Sequence, residues 1–126
     1  MAALPSFEAA VVSGAGRGRR IGTPTLNLDL AAVPRELDDG IYACRARLDG
    51  EAEPRDAVMH LGERPVFRDS RTCEVHLLDG PPPETARVAV LDLAYIREVR
   101  DFPSPDALLE RIAQDIAEAR AILSQP

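Results

Sequence analysis

From Phe7 to Tyr95 the chain is a succession of short apolar or alternating segments cut apart by Gly, Pro and Asp, a rhythm that restricts it to a fold built from short strands. The segments are Phe7 to Ser13, Leu26 to Leu30, Ile41 to Leu48, Ala57 to Leu61, Thr72 to Leu78 and Arg87 to Tyr95. Six of them predict a small barrel. One helix follows, over about 104–123. Ser104 is an N-cap, Pro105 suits the first helical position and Asp106 places an acid in the first turn. Beyond them Leu108, Leu109, Ile112, Ile116, Ala119 and Leu123 recur at helical spacing, with Glu110, Arg111, Gln114, Asp115 and Glu118 on the other side. That apolar side should lie against the barrel.

The 126 residues suffice for one core, and no Pro/Gly/Ser linker divides them, so a single domain over 1–126 is expected. The stretch Pro81-Pro82-Pro83 reads as a stiff connection between strands. A formal net charge of −6 disfavours a nucleic-acid surface, which needs a basic face. No apolar run is long enough to cross a bilayer, and the N-terminus lacks a signal-peptide pattern, so a cytoplasmic protein without a membrane partner is expected. Cys44 and Cys73 fall on the apolar phase of strand patterns and show no metal-ligand spacing, which predicts reduced, buried thiols and disfavours a bridge between them.

Chemistry concentrates in residues 14–27, where four glycines and three arginines precede Pro24-Thr25-Leu26-Asn27. Glycines let backbone amides approach an anion closely, and Arg17, Arg19 and Arg20 balance its charge. Thr25 and Asn27, one residue apart in an extended segment, share a face and offer two hard oxygens, which suits Mg²⁺ shared with substrate phosphates. A P-loop is excluded, because the chain contains no lysine. The dinucleotide pattern fails as well: counted from Gly14 its last glycine would be Arg19, and counted from Gly16 it would be Ile21. Taken alone, glycine and arginine describe only a soluble connection, and Pro-Thr-Leu-Asn weighs against that reading.

The run Arg17-Gly-Arg-Arg-Ile-Gly-Thr-Pro-Thr-Leu-Asn27 resembles the signature of riboflavin kinases, Arg-Gly-x-x-Leu-Gly-Phe-Pro-Thr-Ala-Asn. Cys73-Glu-Val-His-Leu-Leu-Asp79 is similar to the family's Val-Glu-Val-His-Leu-Leu-Asp, and Tyr95-Ile-Arg-Glu-Val-Arg-Asp-Phe102 resembles its third block, in the same order. With the C-terminal helix pattern the resemblance extends from about Val11 to Leu123. It implies a six-stranded antiparallel Greek-key barrel with a C-terminal helix. It also implies transfer of the γ-phosphoryl of ATP to the 5′-hydroxyl of riboflavin, giving FMN. By the same resemblance Thr25 and Asn27 hold Mg²⁺ with ATP oxygens, and Gly14, Gly16, Gly18, Gly22 and Arg19 receive phosphates together with Thr25. The partners it implies are the two small-molecule substrates, and a monomer is expected.

Strand alternation turns Cys73, Val75 and Leu77 to one face and Glu74 with His76 to the other, so Glu74 can face a substrate. A carboxylate on a rigid strand can accept the proton of an attacking hydroxyl. The resemblance makes Glu74 the catalytic base, whereas the residue alone would read as a solvated strand acid. A Glu-His pair with His76 has little support, and His60, on a different strand, has no Cys or His nearby to define a zinc site. No Gly-x-Ser-x-Gly elbow occurs. Arg97 and Phe102 match the flavin-side block and are candidate flavin contacts, with Leu108 and Ile112 as a wall. A structural reading is equally balanced: an arginine ending a strand and an aromatic packed at the helix start.

Three departures stand out. Thr23 replaces an apolar or aromatic residue, Met59-His60-Leu61-Gly62 stands where Asn-Ile-Gly is common, and Asp79-Gly-Pro-Pro-Pro-Glu84 omits a family element on what would be a substrate-side loop. The alternative function is therefore a non-catalytic flavin- or nucleotide-binding relative. A barrel adaptor for a protein partner has only the fold in its favour.

Overall fold

A computed structural model describes residues 3–12, 25–63 and 71–125. Its elements are β1 (Phe7–Ala10), β2 (Leu26–Leu28), a 3₁₀ turn (Leu30–Ala32), β3 (Gly40–Leu48), β4 (Arg55–Gly62), β5 (Thr72–Leu77), β6 (Arg87–Arg97) and α1 (Pro105–Leu123). All strand pairs are antiparallel, in the order β1-β6-β3-β4-β5-β2. A bridge between Val11 and Leu28, with hydrogen bonds from Val12 N to Asn27 O and from Asp29 N to Ala10 O, joins the two ends of that order. The sheet is thereby a nearly closed barrel. Strands β3, β4 and β5 form a meander and β6 returns beside β3, which is Greek-key topology.

Strand alternation sorts the two faces. Tyr42, Cys44, Ala46 and Leu48 of β3 point inward with Ala57, Met59 and Leu61 of β4, Cys73, Val75 and Leu77 of β5 and Val88 and Val90 of β6. On β6 the alternation slips after Val90, and Leu93 resumes the buried face. The slip is a bulge: the β3–β6 register shifts between Ala43 and Arg45, and Asp92 takes a positive φ of 54°. Arg45 reaches across to the Asp92 carboxylate at 2.9 Å and donates to the last-turn carbonyl of Leu123 at 2.6 Å, tying the bulge to the helix C-terminus. Both thiols are free and buried inside the barrel, and burial raises both pKa values, that of Cys73 to about 12.

The helix begins as expected: Ser104 Oγ accepts from Ala107 N at 3.1 Å, and Pro105 opens the first turn. Its C-terminal half packs Ala119 and Leu123 on the outer face of the sheet against Ala43, with Val58, Ala94 and Ile96 around them. The expected apolar side is corrected at two positions. Leu109 is exposed, and Asp115, assigned to the solvent side, is buried. The reason is spacing: Leu108, Asp115, Ala119 and Leu123 recur by seven, four and four, so Asp115 sits on the buried stripe itself. Among the described residues no helix is long and apolar enough to cross a membrane.

The connection from β5 to β6 does not close a hairpin, since these strands are not neighbours in the sheet. It crosses the barrel end beside the β3–β4 turn, where the Asp49 carboxylate accepts from Ala86 N and Arg87 N, both at close to 3 Å. Arg120 of the helix holds its start, donating to Asp79 Oδ1 at 3.1 Å and Leu78 O at 3.0 Å.

Candidate active site

Two short strands build the site. In β5 the inward Cys73 and Val75 leave Thr72, Glu74 and His76 on the outer face, and in β2 the inward Leu26 and Leu28 leave Asn27 on that face. Asn27 stands directly opposite Glu74 in the ladder. Thr25, one position before β2, donates its hydroxyl to Glu74 Oε1 at 3.1 Å. The Thr72 hydroxyl lies 3.2 Å from Glu74 Oε2. Each carboxylate oxygen is thus oriented by a different hydroxyl, and Glu74 is only 8% exposed.

The sheet register extends this site sideways. On β4 His60 is opposite Glu74, on β3 Ile41 is opposite His60, and on β6 Arg97 is opposite Ile41. Asn27, Glu74, His60, Ile41 and Arg97 therefore form one row across five strands of the outer face. Both His60 ring nitrogens are shielded from solvent. The adjacent row, through Val58, Ala43 and Ala94, is the one that α1 covers.

At the β6 end of the row each of the three guanidinium nitrogens of Arg97 donates a hydrogen bond within the protein. Its Nε and Nη2 donate to the two carboxylate oxygens of Asp115 at 2.9 and 2.8 Å, and its Nη1 donates to Glu98 O at 2.9 Å. The guanidinium carbon lies 5.5 Å from the centroid of the Phe102 ring, a cation–π contact. Arg111 adds a second charge, Nε to Asp115 Oδ1 at 3.1 Å. Arg97 is the last residue of β6, and Phe102 lies two residues before the N-cap Ser104.

Thr25, Asn27 and Glu74 are thus brought together, while Arg97 and Phe102 meet each other three strands away. Gly14, Gly16, Gly18, Arg19 and Gly22 lie outside the described residues. Sequence reasoning missed Thr72, whose signal is its i, i+2 spacing to Glu74 on one strand face. It also placed His60 merely on another strand, when that strand is the neighbour and the position is the opposing one. The Asp79 to Glu84 segment begins two residues beyond the end of β5 and five beyond Glu74.

The donor set suits a small hard cation. A hydroxyl, an amide carbonyl and a carboxylate face one another on β2 and β5, and these are oxygen ligands of the kind Mg²⁺ takes while leaving positions for phosphate and water. A buried Cys73 thiol, its pKa raised to about 12, stays protonated and is no nucleophile.

A family model for flavokinase, described as riboflavin kinase, matches residues 3–123. The riboflavin kinase of Mus musculus is 30% identical, covering 100% of this chain and 86% of its own length. That of Emericella nidulans is 29% identical over 92% of this chain and 75% of its own length. The bifunctional riboflavin kinase/FMN adenylyltransferase of Pseudomonas fluorescens is 36% identical over 89% of this chain, a match that takes in 36% of that protein. A crystal structure described as a macrolide-efflux protein from Streptococcus pneumoniae superposes with a TM-score of 0.75 at 28% identity, covering 91% of this chain and 38% of that one. With the motif residues gathered on β2 and β5 and the family match spanning nearly all of its length, this chain belongs to the riboflavin kinase family.

Proposed function

We propose that this protein transfers the γ-phosphoryl group of ATP to the 5′-hydroxyl of riboflavin, yielding FMN and ADP, with Mg²⁺ bound at Thr25 and Asn27. The observation that carries the reading is the meeting of Thr25, Asn27 and Glu74 on adjacent strands, Asn27 opposite Glu74 and the Thr25 hydroxyl 3.1 Å from its Oε1. The family match and the riboflavin kinases that cover most of this chain support it. A cytoplasmic, monomeric enzyme in which residues 1–126 form one domain is part of the same proposal.

In this mechanism Glu74 accepts the proton of the 5′-hydroxyl as that oxygen attacks the γ-phosphorus; the new O–P bond forms, the bond to the bridging oxygen breaks, and ADP leaves. Thr25 and Thr72 fix the carboxylate before the reaction, so no reorganisation is needed when charge moves. Bound Mg²⁺ would neutralise phosphate charge developing at the transferring group. Gly14, Gly16, Gly18, Gly22 and Arg19 supply phosphate-binding amides and charge. Phe102 and Arg97 contribute to the flavin side, with Leu108 and Ile112 as a wall.

Incubating the purified protein with riboflavin, ATP and Mg²⁺ and separating flavins by chromatography tests the proposal. FMN formation that requires ATP supports it. Absence of FMN together with absence of any flavin binding by fluorescence titration would falsify it.

A further inference from the structure

One buried acid has no part in the phosphoryl transfer. Asp115 is 3% exposed, midway along α1, and among the described residues its side-chain hydrogen-bond partners are two arginines, Arg97 and Arg111. Its two oxygens hold Arg97 through parallel hydrogen bonds at 2.9 and 2.8 Å, which fixes the plane of the guanidinium as well as its position. That plane carries the connection between β6 and α1. Arg97 Nη1 binds the carbonyl of Glu98, the first residue of the connection, and the guanidinium sits beside the ring of Phe102, near its end. A single side chain thus holds both ends of residues 98–102, and its orientation depends on Asp115.

Arg97 also closes the row that begins at Asn27 and Glu74, three strand spacings from the carboxylate, about 14 Å at the usual spacing. A substrate whose reacting hydroxyl sits at Glu74 and whose ring system extends along this row ends at the Arg97 connection. We propose that Asp115 is a positioning residue for the flavin side of the reaction, acting through Arg97 to fix Glu98 and Phe102; this rests on the kinase reading above. Among the described residues Asp115 makes no hydrogen bond to Thr25, Asn27, Thr72 or Glu74, the residues of the proposed phosphate side.

The test is Asp115→Asn, which keeps the side-chain volume but removes the charge that makes the paired hydrogen bonds strong. The KM for riboflavin should rise about tenfold, as expected for the weakening of one charge-assisted hydrogen bond, while kcat and the KM for ATP stay within about twofold. A parallel rise in both KM values, or an unchanged KM for riboflavin, would overturn the proposal. Should Asp115→Asn fold poorly, the double variant Arg97→Met/Asp115→Leu replaces the pair by apolar groups and should restore stability without restoring the riboflavin KM. A restored KM would mean the role is purely structural. Amide hydrogen exchange without substrates supplies a readout independent of activity: exchange should speed up over 98–104 in Asp115→Asn and stay unchanged in β5. Local acceleration in Asp115→Asn, where the wild-type protein makes no FMN, would retire the kinase reading alone, whereas acceleration spread through the barrel would retire the positioning role.

Discussion

Glu74 and Asp115 are both buried carboxylates on the outer face of the same barrel, yet different groups hold them and the tasks proposed for them are opposite. Asp115 faces two guanidinium groups and holds one of them bidentately, so its charge is matched by a permanent cation and it is locked. Hydroxyl groups, one to each oxygen, orient Glu74 on a strand. A carboxylate held bidentately by arginine is a strut, and the one oriented by threonines is the base of the proposed mechanism.

The sharpest way to break the contrast is Glu74→Gln, which keeps shape but cannot take a proton. Turnover should fall by about 10²–10⁴-fold with ATP and flavin binding and thermal stability little changed. Steady-state kinetics beside binding titrations and a melting curve check this, and wild-type turnover would remove Glu74 from the role of base.

Asp115→Ala should do the converse in stability. It leaves the Arg97 guanidinium buried without its partner, a change that costs about 3–5 kcal/mol. Urea unfolding measures it; a cost below about 1 kcal/mol would show that the pair is not the strut described here.

Thr25→Ala and Asn27→Ala address the polar side of the comparison. Each removes a hard oxygen beside Glu74 and should raise the Mg²⁺ concentration for half-maximal rate several-fold, on the order of one ligand's contribution. Thr72→Val, which removes the donor to Oε2 without touching the proposed ligands, should lower kcat by a smaller factor and leave the Mg²⁺ titration unmoved. Identical Mg²⁺ curves for the first two variants would separate the metal from these residues.

The smallest effect concerns Cys73, whose backbone adjoins Glu74 but whose thiol faces the barrel interior. Burial raises its pKa to about 12, whereas an unfolded thiol titrates near ~8.5. The folded state therefore binds more protons between these values, and this contribution to stability is full below pH ~8.5 and is lost as pH rises toward 12. Thiol alkylation at pH 8 should proceed at the rate of unfolding, and Cys73→Ala should flatten the alkaline decline of the melting temperature. Fast native-state labelling would contradict the burial.

Much of this was legible in the linear chain. Strand segments, the Ser104-Pro105 helix start and the alternation that sends Glu74 outward follow from rules spanning a few residues, because side-chain direction in a strand and the need for a cap are local matters. The family, too, is legible in the motifs at residues 17–27, 73–79 and 95–102. Less legible was α1, where an acid at a stripe position was sorted by its polarity and not by its phase.

What the sequence alone determined is which residues can be strand, turn and helix, and which side chains offer hydroxyl, amide or carboxylate oxygens. Tertiary structure alone decided which of them meet. Residues 25 and 74 are 49 positions apart, and a register between β2 and β5 sets their hydroxyl and carboxylate at 3.1 Å. In the same way the register of β6 and the phase of α1 bring Arg97 onto Asp115, turning an apparently exposed acid into a buried strut. Local propensity is blind to such pairings, because a one-residue slip in either register would send the same side chains to the opposite face.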